Sequence, residues 1–360
     1  MLVRLPSVYL GTMTFGWRGQ TSSYVDAPIA SKMIEAFINS QKEETAVHID
    51  TARIYAGGET EKVLRDAMAG YTNKSPVILL GTKAHPSQPD GLSEKGLMNQ
   101  LEKSFDTLGG VASVDEFYLH QPDENSSLLD SLKTCDTLIK QGKISSIGMS
   151  NYHASEVKRA FDLCTEHSLA KPSVYQGLYN PLNRCIERDL LPVLRENGCK
   201  FIAYNPLAAG LLTGKHLLSA SGEVKEGRFK NNPNYLTRFY TPVHFEALTL
   251  IQSACDDSNL SMVEATYIWL LRHSALDASK GDGLLIGASS IEQLEQNLNS
   301  CTRASENELP QPVIDAFDKA WELIINNEER PFPYWRSYSV DMPNKESLDQ
   351  GASYNAAKTK

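Results

Sequence analysis

The sequence has few cysteines, and they are widely spaced. Six cysteines in 360 residues form no CxxC pair and no cluster with histidine, so neither a disulfide framework nor a metal site of common spacing is predicted. Positive charge is also in deficit, because 35 Lys and Arg face 44 Asp and Glu and give a formal net charge of −9. This balance argues against a nucleic-acid partner or an anionic membrane surface.

Long hydrophobic runs and leader signals are missing as well. No apolar stretch approaches the ~18 residues of a transmembrane helix, and "MLVRLPSVYLGTMTFGW" at the start lacks the apolar core and cleavage site of a secretory signal. No GxGxxG opens the first strand-to-helix turn, which removes the signature of an open dinucleotide-binding sheet. These absences predict a cytoplasmic protein with no membrane partner.

What the sequence does contain is a rhythm of strand-like and helix-like segments. Short runs rich in β-branched and aromatic residues are each followed by a longer segment with helical spacing, which predicts βαβ crossovers and a parallel sheet. Eight such units within roughly 300 residues fit an α/β fold of the (β/α)8 TIM-barrel type, typically about 250 residues long. The candidate strands span residues 8–16, 46–50, 76–84, 115–121, 144–151, 173–180, 199–207 and 283–290.

Two segments depart from this rhythm. Residues 208–245, rich in Gly, Asn and Ser, separate the seventh strand from the next clear helix, and loops this long are usually functional or disordered. Residues 331–360 begin with the aromatic cluster "PFPYW" and end polar. We predict a single catalytic barrel over 1–330 and a tail over 331–360, whose aromatic part docks near the active site and whose last ~15 residues do not.

Polar residues end three consecutive candidate strands, at the edge where such a barrel builds its active site. The second strand ends in Asp50, the third in Lys83 and the fourth in His120, and Tyr55 follows in the loop after the second. Singly, a strand-end lysine can be solvated and a histidine structural. Asp50, however, follows the buried-looking run "AVHID", where an unpaired carboxylate costs several kcal/mol, so Lys83 is predicted to pair with it.

This pairing predicts a proton donor. A tyrosine phenol has a reference pKa near 10, which is too high for an efficient acid at neutral pH. An ammonium about 4 Å away favours the phenolate by about 4 kcal/mol at an effective dielectric of roughly 20. Asp50 would hold Lys83, Lys83 would make Tyr55 acidic, and Tyr55 would protonate a substrate oxygen that also accepts a hydrogen bond from His120.

Over roughly residues 8–337 the chain resembles the aldo-keto reductases. The resemblance is carried by the ordered motifs "HIDTARIY", "GTKA", "YLHQPD", "IGMSNY", "YQGLYN", "AYNPLAAGLLTGK" and "GASSIEQLEQNL". It implies that Asp50, Tyr55, Lys83 and His120 form a catalytic tetrad. It also implies that a bound nicotinamide, rather than a metal, supplies hydride to a small-molecule carbonyl substrate.

The resemblance further implies a cofactor site. Ser150, Asn151 and Gln176 would bind the carboxamide and Tyr204 would stack on the nicotinamide, although Asn151 could instead cap the following helix. "GASSIEQLEQNL" would offer a helix N-terminus to phosphate, and Lys215 and Arg228 match loop positions that favour NADPH. The predicted set is Ser150, Asn151, Gln176, Tyr204, Asn205, Pro206, Leu207, Lys215, Arg228, Gly287, Ser289, Gln293, Gln296 and Asn297.

Within the family, "GTMTFGWRG", "GRFKNNPNYLTRFY" and "YWRSY" most resemble the aflatoxin-aldehyde and succinic-semialdehyde reductases. Arg18, Arg238 and Arg336 match arginines that bind a carboxylate or dicarbonyl end of the substrate, and Trp17, beside Arg18, could form a wall of the apolar substrate pocket. Alternatively, the three arginines lie on the surface or form internal ion pairs, without contact to a substrate.

Two rival functions stay open. The first is a nicotinamide-binding regulatory subunit similar to potassium-channel β subunits. The second is a sugar or pyridoxal reductase of a neighbouring branch. The resembling branch often forms dimers, so a homodimer is an alternative to a monomer, with no surface yet assigned to it.

Overall fold

Eight parallel strands close into a barrel in which every strand pairs with its neighbours in chain order. The computed structural model describes residues 4–18, 23–41, 44–71, 76–217, 229, 236, 238–327 and 331–352. The predicted (β/α)8 fold is confirmed. The strands are β1 Ser7–Gly11, β2 Ala46–Asp50, β3 Val77–Ala84, β4 Val114–Leu119, β5 Ile144–Ser150, β6 Val174–Leu178, β7 Lys200–Tyr204 and β8 Gly283–Ile286.

Several strands end earlier than the sequence predicted. β1 stops at Gly11 because the chain turns there, with the Phe15 amide donating to the Thr12 carbonyl at 2.8 Å. β7 stops at Tyr204, and the next residue, Asn205, has a φ of 62° in the left-handed region. Predicted residues beyond these points therefore lie in the turns at the mouth of the barrel, which is where a (β/α)8 fold presents functional side chains.

Helices cover the outside of the barrel. Asp26, Ser93, Ser127, Ser261 and Ser290 each accept a hydrogen bond from the backbone amide three residues ahead, which satisfies one free donor of the first turn. The helices are α1 Ala27–Ser40, α2 Glu59–Met68, α3 Glu94–Thr107, α4 Leu128–Lys140, α5 Ala154–Glu166, α6 Ile186–Glu196, α7 Pro242–Asp257, α8 Met262–Ile268, α9 Ile291–Glu306 and α10 Gln311–Ile325.

Apolar packing occurs in two separate places. The larger cluster lies between the strands and the surrounding helices. A small second cluster, formed by Tyr9, Tyr118, Val174 and Ile202, lies inside the barrel with Leu285 against it. The interior of the barrel therefore contains few apolar side chains, and buried polar side chains such as Asp50, Lys83 and Glu116 occupy part of it.

The tail crosses the mouth of the barrel. The Tyr334 side chain is buried and its hydroxyl donates to Asp189 at 3.0 Å, while the Arg336 amide donates to the Asn151 carbonyl at 3.0 Å. Ala352 is 7% exposed, so these contacts reach further along the tail than its polar composition suggested. Residues 353–360 of the predicted tail lie outside the described residues. Within the described part, no helix is long and apolar enough to cross a bilayer.

His244 at the start of α7 makes the stability of the fold sensitive to acid. Its side chain is buried, with Nδ1 2.8 Å from the Thr241 hydroxyl, and burial lowers its pKa to about 4. Below an unfolded-state pKa near 6.5 the unfolded chain binds a proton that the folded chain does not, so stability falls as pH falls.

The free energy of unfolding of the wild-type chain should fall between pH 7 and pH 5. We expect this fall to be about 2 kcal/mol smaller in His244→Gln, which has no buried imidazole at this position. Urea unfolding at both pH values measures this change, and His167→Gln, at an exposed position, is the control. An unchanged pH dependence in His244→Gln would contradict the assignment.

Candidate active site

A buried ion pair joins the ends of β2 and β3. Lys83 Nζ lies 2.6 Å from both Asp50 carboxylate oxygens and 2.8 Å from the Thr51 carbonyl. Gln176 Nε2 donates to Asp50 Oδ1 at 2.9 Å. Asp50 is 2% exposed and Lys83 is 1% exposed. The predicted pair is therefore present, and solvent hardly reaches it.

The hydrogen bonds around this pair match its charged form. Burial raises the pKa of Asp50 and lowers that of Lys83, while the attraction between the two groups opposes both shifts. An ammonium has three donors and a carboxylate has only acceptors. Lys83 is surrounded by three acceptor oxygens and Asp50 by donors, so the surroundings suit a carboxylate and an ammonium.

Tyr55 and His120 lie against the same lysine. Tyr55 begins a short 3₁₀ turn, which Gly57 and Gly58, with φ of 66° and 95°, connect to α2. Lys83 Nζ is 5.3 Å from the centroid of the Tyr55 ring, and the Tyr55 and His120 rings are 5.8 Å apart at an interplanar angle of 80°. The four residues predicted at the strand ends are thus brought together.

His120 is a neutral imidazole at physiological pH. Burial lowers its pKa well below the usual range, and the charges of Lys83 and Arg336 lower it further. Its Nδ1 atom is buried and has no hydrogen-bond partner within the described part of the chain. A neutral histidine can donate a hydrogen bond but is a poor proton source, which leaves Tyr55 as the candidate acid.

His85 is a neighbour of the site that the sequence analysis missed. Its ring lies edge-on to His120 with centroids 5.1 Å apart, and burial lowers its pKa to about 4. The signal was present, because residues two apart on a strand share a face and His85 follows Lys83 by two.

Asn151 links three strands at the nicotinamide end of the predicted site. Its amide nitrogen donates to the His120 carbonyl at 2.8 Å and to the Ser150 hydroxyl at 3.0 Å, and its oxygen accepts from the Tyr204 hydroxyl at 2.9 Å. Ser150, Asn151, Gln176 and Tyr204 therefore lie together at the barrel mouth, and hydrogen bonds among them, to Asp50 and to the His120 carbonyl fix their orientation.

The alternative reading of Asn151 as a helix cap is wrong. His153 precedes α5, and its ring nitrogen accepts from the Ser155 amide at 3.2 Å. Asn151 instead has a φ of 63°, a left-handed conformation that asparagine tolerates better than most residues. The turn after β5 thus aims Asn151 into the mouth of the barrel.

The turn after β7 holds the next predicted residues. Asn205 Oδ1 accepts from the Ala209 amide at 2.7 Å, which closes a loop that also contains Pro206 and Leu207. Lys215 is exposed beyond it. Arg228 lies outside the described residues, so its contact with a phosphate stays a prediction.

The predicted phosphate segment follows β8. The Ser289 amide and hydroxyl both donate to Gln293 Oε1 at 3.0 Å, and Asn297 Nδ2 lies 3.4 Å from the Gly287 carbonyl. Gln296 is exposed on the same helix, α9. The turn is therefore ordered by its own side chains directly before a helix N-terminus.

Two of the three predicted substrate arginines meet at one aromatic ring. The guanidinium carbon of Arg238 is 4.3 Å from the centroid of Phe332, and that of Arg336 is 5.9 Å from it. The guanidinium carbon of Arg18, an exposed residue that follows half-buried Trp17, lies instead 4.6 Å from the centroid of the Tyr24 ring. Sequence analysis missed Phe332, although the aromatic cluster "PFPYW" that contains it was noted.

Comparison with known proteins gives consistent matches. The model of the aldo/keto reductase family matches residues 7–322. The chain is 37% identical over 329 residues to aflatoxin B1 aldehyde reductase member 2 of Rattus norvegicus, covering 89% of this chain and 86% of that protein. It is 38% identical over 329 residues to aldo-keto reductase family 7 member A3 of Homo sapiens, covering 89% and 95%. Oxidoreductase sirO of Leptosphaeria maculans is 30% identical over 322 residues, with 89% and 94% covered.

Proposed function

The chain belongs to the aldo/keto reductase family and is an oxidoreductase, and from this premise we propose that it uses NADPH to reduce small aldehydes and ketones to alcohols. The candidate substrates are dicarbonyls, semialdehydes and aromatic aldehydes. One observation carries the proposal: the buried Lys83 ammonium, fixed by Asp50, lies 5.3 Å from the Tyr55 ring centroid beside a neutral His120.

The barrel mouth fits a nicotinamide nucleotide in two respects. His120 Nδ1 is buried without a partner in the described part of the chain, which is an unsatisfied polar edge that a bound molecule could complete. The ordered turn before α9 presents a helix N-terminus, a favourable site for phosphate. We propose that Ser150, Asn151 and Gln176 hold the carboxamide, and that the residues of the β7 and β8 turns hold the phosphates.

The side chains of the site would divide the work as follows. Bound NADPH supplies the hydride. Tyr55 donates its hydroxyl proton to the carbonyl oxygen, and the Lys83 ammonium stabilises the phenolate that remains. Asp50 keeps Lys83 charged and in place, while neutral His120 donates a hydrogen bond that orients the same carbonyl oxygen. Asp50 is therefore a positioning residue, and Tyr55 is the acid.

The proposed preference for NADPH rests on Arg228, which would bind the 2′-phosphate, while Lys215 would bind the pyrophosphate. We expect Arg228→Ala to raise the KM for NADPH about tenfold or more and to leave the KM for NADH nearly unchanged, because a charge-assisted hydrogen bond to the 2′-phosphate contributes about 1.5–3 kcal/mol. Lys215→Ala is the matched control, since the pyrophosphate it is proposed to bind occurs in both cofactors. Equal increases for both cofactors in Arg228→Ala would remove Arg228 from the 2′-phosphate.

Arg18, Arg238, Arg336 and Trp17 are proposed to bind the substrate. The meeting of Arg238 and Arg336 at Phe332 supports a cationic wall on the tail side of the mouth, because Arg336 is also close enough to lower the pKa of His120. Forked guanidinium groups suit a carboxylate or a dicarbonyl. Aromatic aldehydes carrying a carboxylate are therefore the substrates of choice for a first assay.

A substrate panel tests the proposal directly. NADPH oxidation is measured with 2-carboxybenzaldehyde, its uncharged parent benzaldehyde, a dicarbonyl, an aldose and pyridoxal. We expect fastest turnover with the carboxylated aldehyde or the dicarbonyl, and a KM increase in Arg336→Gln that is larger for 2-carboxybenzaldehyde than for benzaldehyde.

The rival functions give other results in the same panel. Preferred turnover of the aldose or pyridoxal would favour a neighbouring reductase branch. Tight NADPH binding with negligible turnover of any substrate would favour a regulatory subunit similar to potassium-channel β subunits. A cytoplasmic location and a homodimer stay predictions.

A further inference from the structure

A second group of ionisable side chains lies inside the barrel beneath the active site. We call Tyr9, His48, Glu116, Tyr118 and Lys200 the floor cluster. Glu116, Tyr118 and His120 alternate along β4 and its end, so they face the interior at successive depths, with His120 at the mouth. The Glu116 side chain is 6% exposed, while Lys200 and His48, at 26% and 23%, reach solvent at the opposite end of the barrel.

Glu116 is the centre of this cluster. Its Oε1 atom lies 2.8 Å from Lys200 Nζ, 3.4 Å from the Tyr9 hydroxyl and 3.9 Å from His48 Nδ1. Its Oε2 atom accepts from the Tyr118 hydroxyl at 2.6 Å. Although burial acts in the opposite direction, Lys200 and these donors hold the pKa of Glu116 below its usual range. Glu116 is therefore a carboxylate with a cation on one side and a phenol on the other.

Tyr118 connects the floor cluster to the proposed catalytic lysine. Lys83 Nζ is 5.3 Å from the Tyr118 ring centroid, the same distance as from the Tyr55 ring. Tyr118 pairs with Lys83 and Gly148 in the register of β3, β4 and β5. A Cβ at position 148 would overlap Tyr118 Cδ1, so the ring occupies space that only glycine leaves open. Lys83 thus lies against two phenols, one of which is fixed to Glu116.

We propose that the Glu116–Lys200 pair and Tyr118 are positioning residues that set the electrostatic potential around Lys83 and Tyr55 and, by that potential, the acidity of Tyr55. The inference deepens the proposed function and rests on Tyr55 being the acid. The Glu116 carboxylate beneath the ammonium favours the charged lysine and disfavours the Tyr55 phenolate, and the Lys200 ammonium acts in the opposite direction on both groups. The floor cluster therefore balances the potential at the proton donor from the far end of the barrel.

The charged and titratable groups that face this system come from five strands and the Tyr55 turn. Tyr9 of β1, His48 and Asp50 of β2, Lys83 of β3 and Lys200 of β7 surround Glu116 and Tyr118 of β4, and His120 and Tyr55 complete the upper layer. Burial lowers the pKa of His48 to about 4, so it is neutral near pH 7. The only full charges in the floor cluster near pH 7 are then those of Glu116 and Lys200.

Two single substitutions separate an electrostatic role from a packing role. Glu116→Gln removes the negative charge, so the potential at Tyr55 becomes more positive and favours its phenolate. Lys200→Met removes the positive charge and has the opposite effect. We expect the alkaline fall in kcat for aldehyde reduction, where Tyr55 loses its proton, to move to lower pH in Glu116→Gln and to higher pH in Lys200→Met. Each shift should be on the order of half a pH unit.

The double variant Glu116→Gln/Lys200→Met restores a neutral floor and should return the alkaline limb to its wild-type position. Titration of the ultraviolet tyrosinate absorbance that is lost in Tyr55→Phe reports the same ionisation without turnover, which keeps the test usable if a variant is slow. Cofactor binding to each variant, followed by titration, monitors the integrity of the fold.

The outcomes are distinct. Opposite shifts that cancel in the double variant support the inference. Shifts of the same sign, or no shift, overturn it while leaving the proposed function intact if Tyr55→Phe still abolishes turnover. Full turnover in Tyr55→Phe would instead refute Tyr55 as the acid and with it both proposals.

Discussion

Replacing Tyr55 by phenylalanine is expected to lower kcat for aldehyde reduction by roughly 10²–10⁴-fold, the usual contribution of a positioned general acid. The ring that lies 5.3 Å from Lys83 Nζ is retained, so cofactor binding should change little. His120 cannot take over the proton transfer, because burial and the nearby charges of Lys83 and Arg336 keep it neutral.

Steady-state kinetics and a cofactor titration measure the two parts of this prediction. Tyr267→Phe is a suitable control, because Tyr267 is fully buried in α8 and is not one of the predicted site residues. The control should keep wild-type kcat. A Tyr55→Phe variant within tenfold of wild-type kcat would show that another group supplies the proton.

The second large effect is expected at Lys83. Lys83→Met leaves the buried Asp50 carboxylate with Gln176 as its one remaining side-chain donor among the described contacts. Removing one partner of a buried ion pair typically costs about 3–5 kcal/mol of unfolding free energy, because the other charge is left without compensation. Turnover should also be lost, since nothing then stabilises the Tyr55 phenolate.

The double variant Asp50→Asn/Lys83→Met separates stability from catalysis. It removes both charges, so most of the lost unfolding free energy should return, while turnover should not. Urea unfolding and steady-state kinetics on the three proteins measure both. If Lys83→Met unfolded within about 1 kcal/mol of wild type, the pair would not be a buried ion pair in solution.

Asp50→Asn alone tests the division of labour between the carboxylate and the phenol. It keeps Lys83 and Tyr55, so it should reduce turnover less than Tyr55→Phe does. Equal losses in the two variants would require a direct role for Asp50.

The geometry of the candidate site was predictable where a polar residue interrupts an apolar strand. Asp50, Lys83 and His120 each end such a run, and parallel strands in a barrel bring their carboxyl ends to one rim. Local pattern and fold class together were enough for these positions.

Other features depend on contacts that no local pattern contains. Glu116 and Lys200 lie on β4 and β7, which are not neighbours, so their pairing follows from closure of the barrel and not from sequence spacing. For Asn151 the sequence left a helix-capping role open as an alternative, but the residue that caps α5 is His153 and Asn151 has a left-handed backbone. Side-chain alternation would have revealed His85 and Tyr118, since each lies two residues from a predicted site residue.

The proposed catalytic residues and the proposed substrate-binding arginine of the tail lie far apart in the sequence. The proposed catalytic groups, Asp50 to His120, belong to the first third of the chain, whereas Arg336 is held over the mouth by the hydrogen bond between its amide and Asn151. During synthesis, domains generally fold from the N-terminal side, so Arg336 joins the site only after the strands are made. Sequence changes in the last tenth of the chain could therefore alter substrate choice and leave the proton donor unchanged. The two properties could then evolve independently of each other.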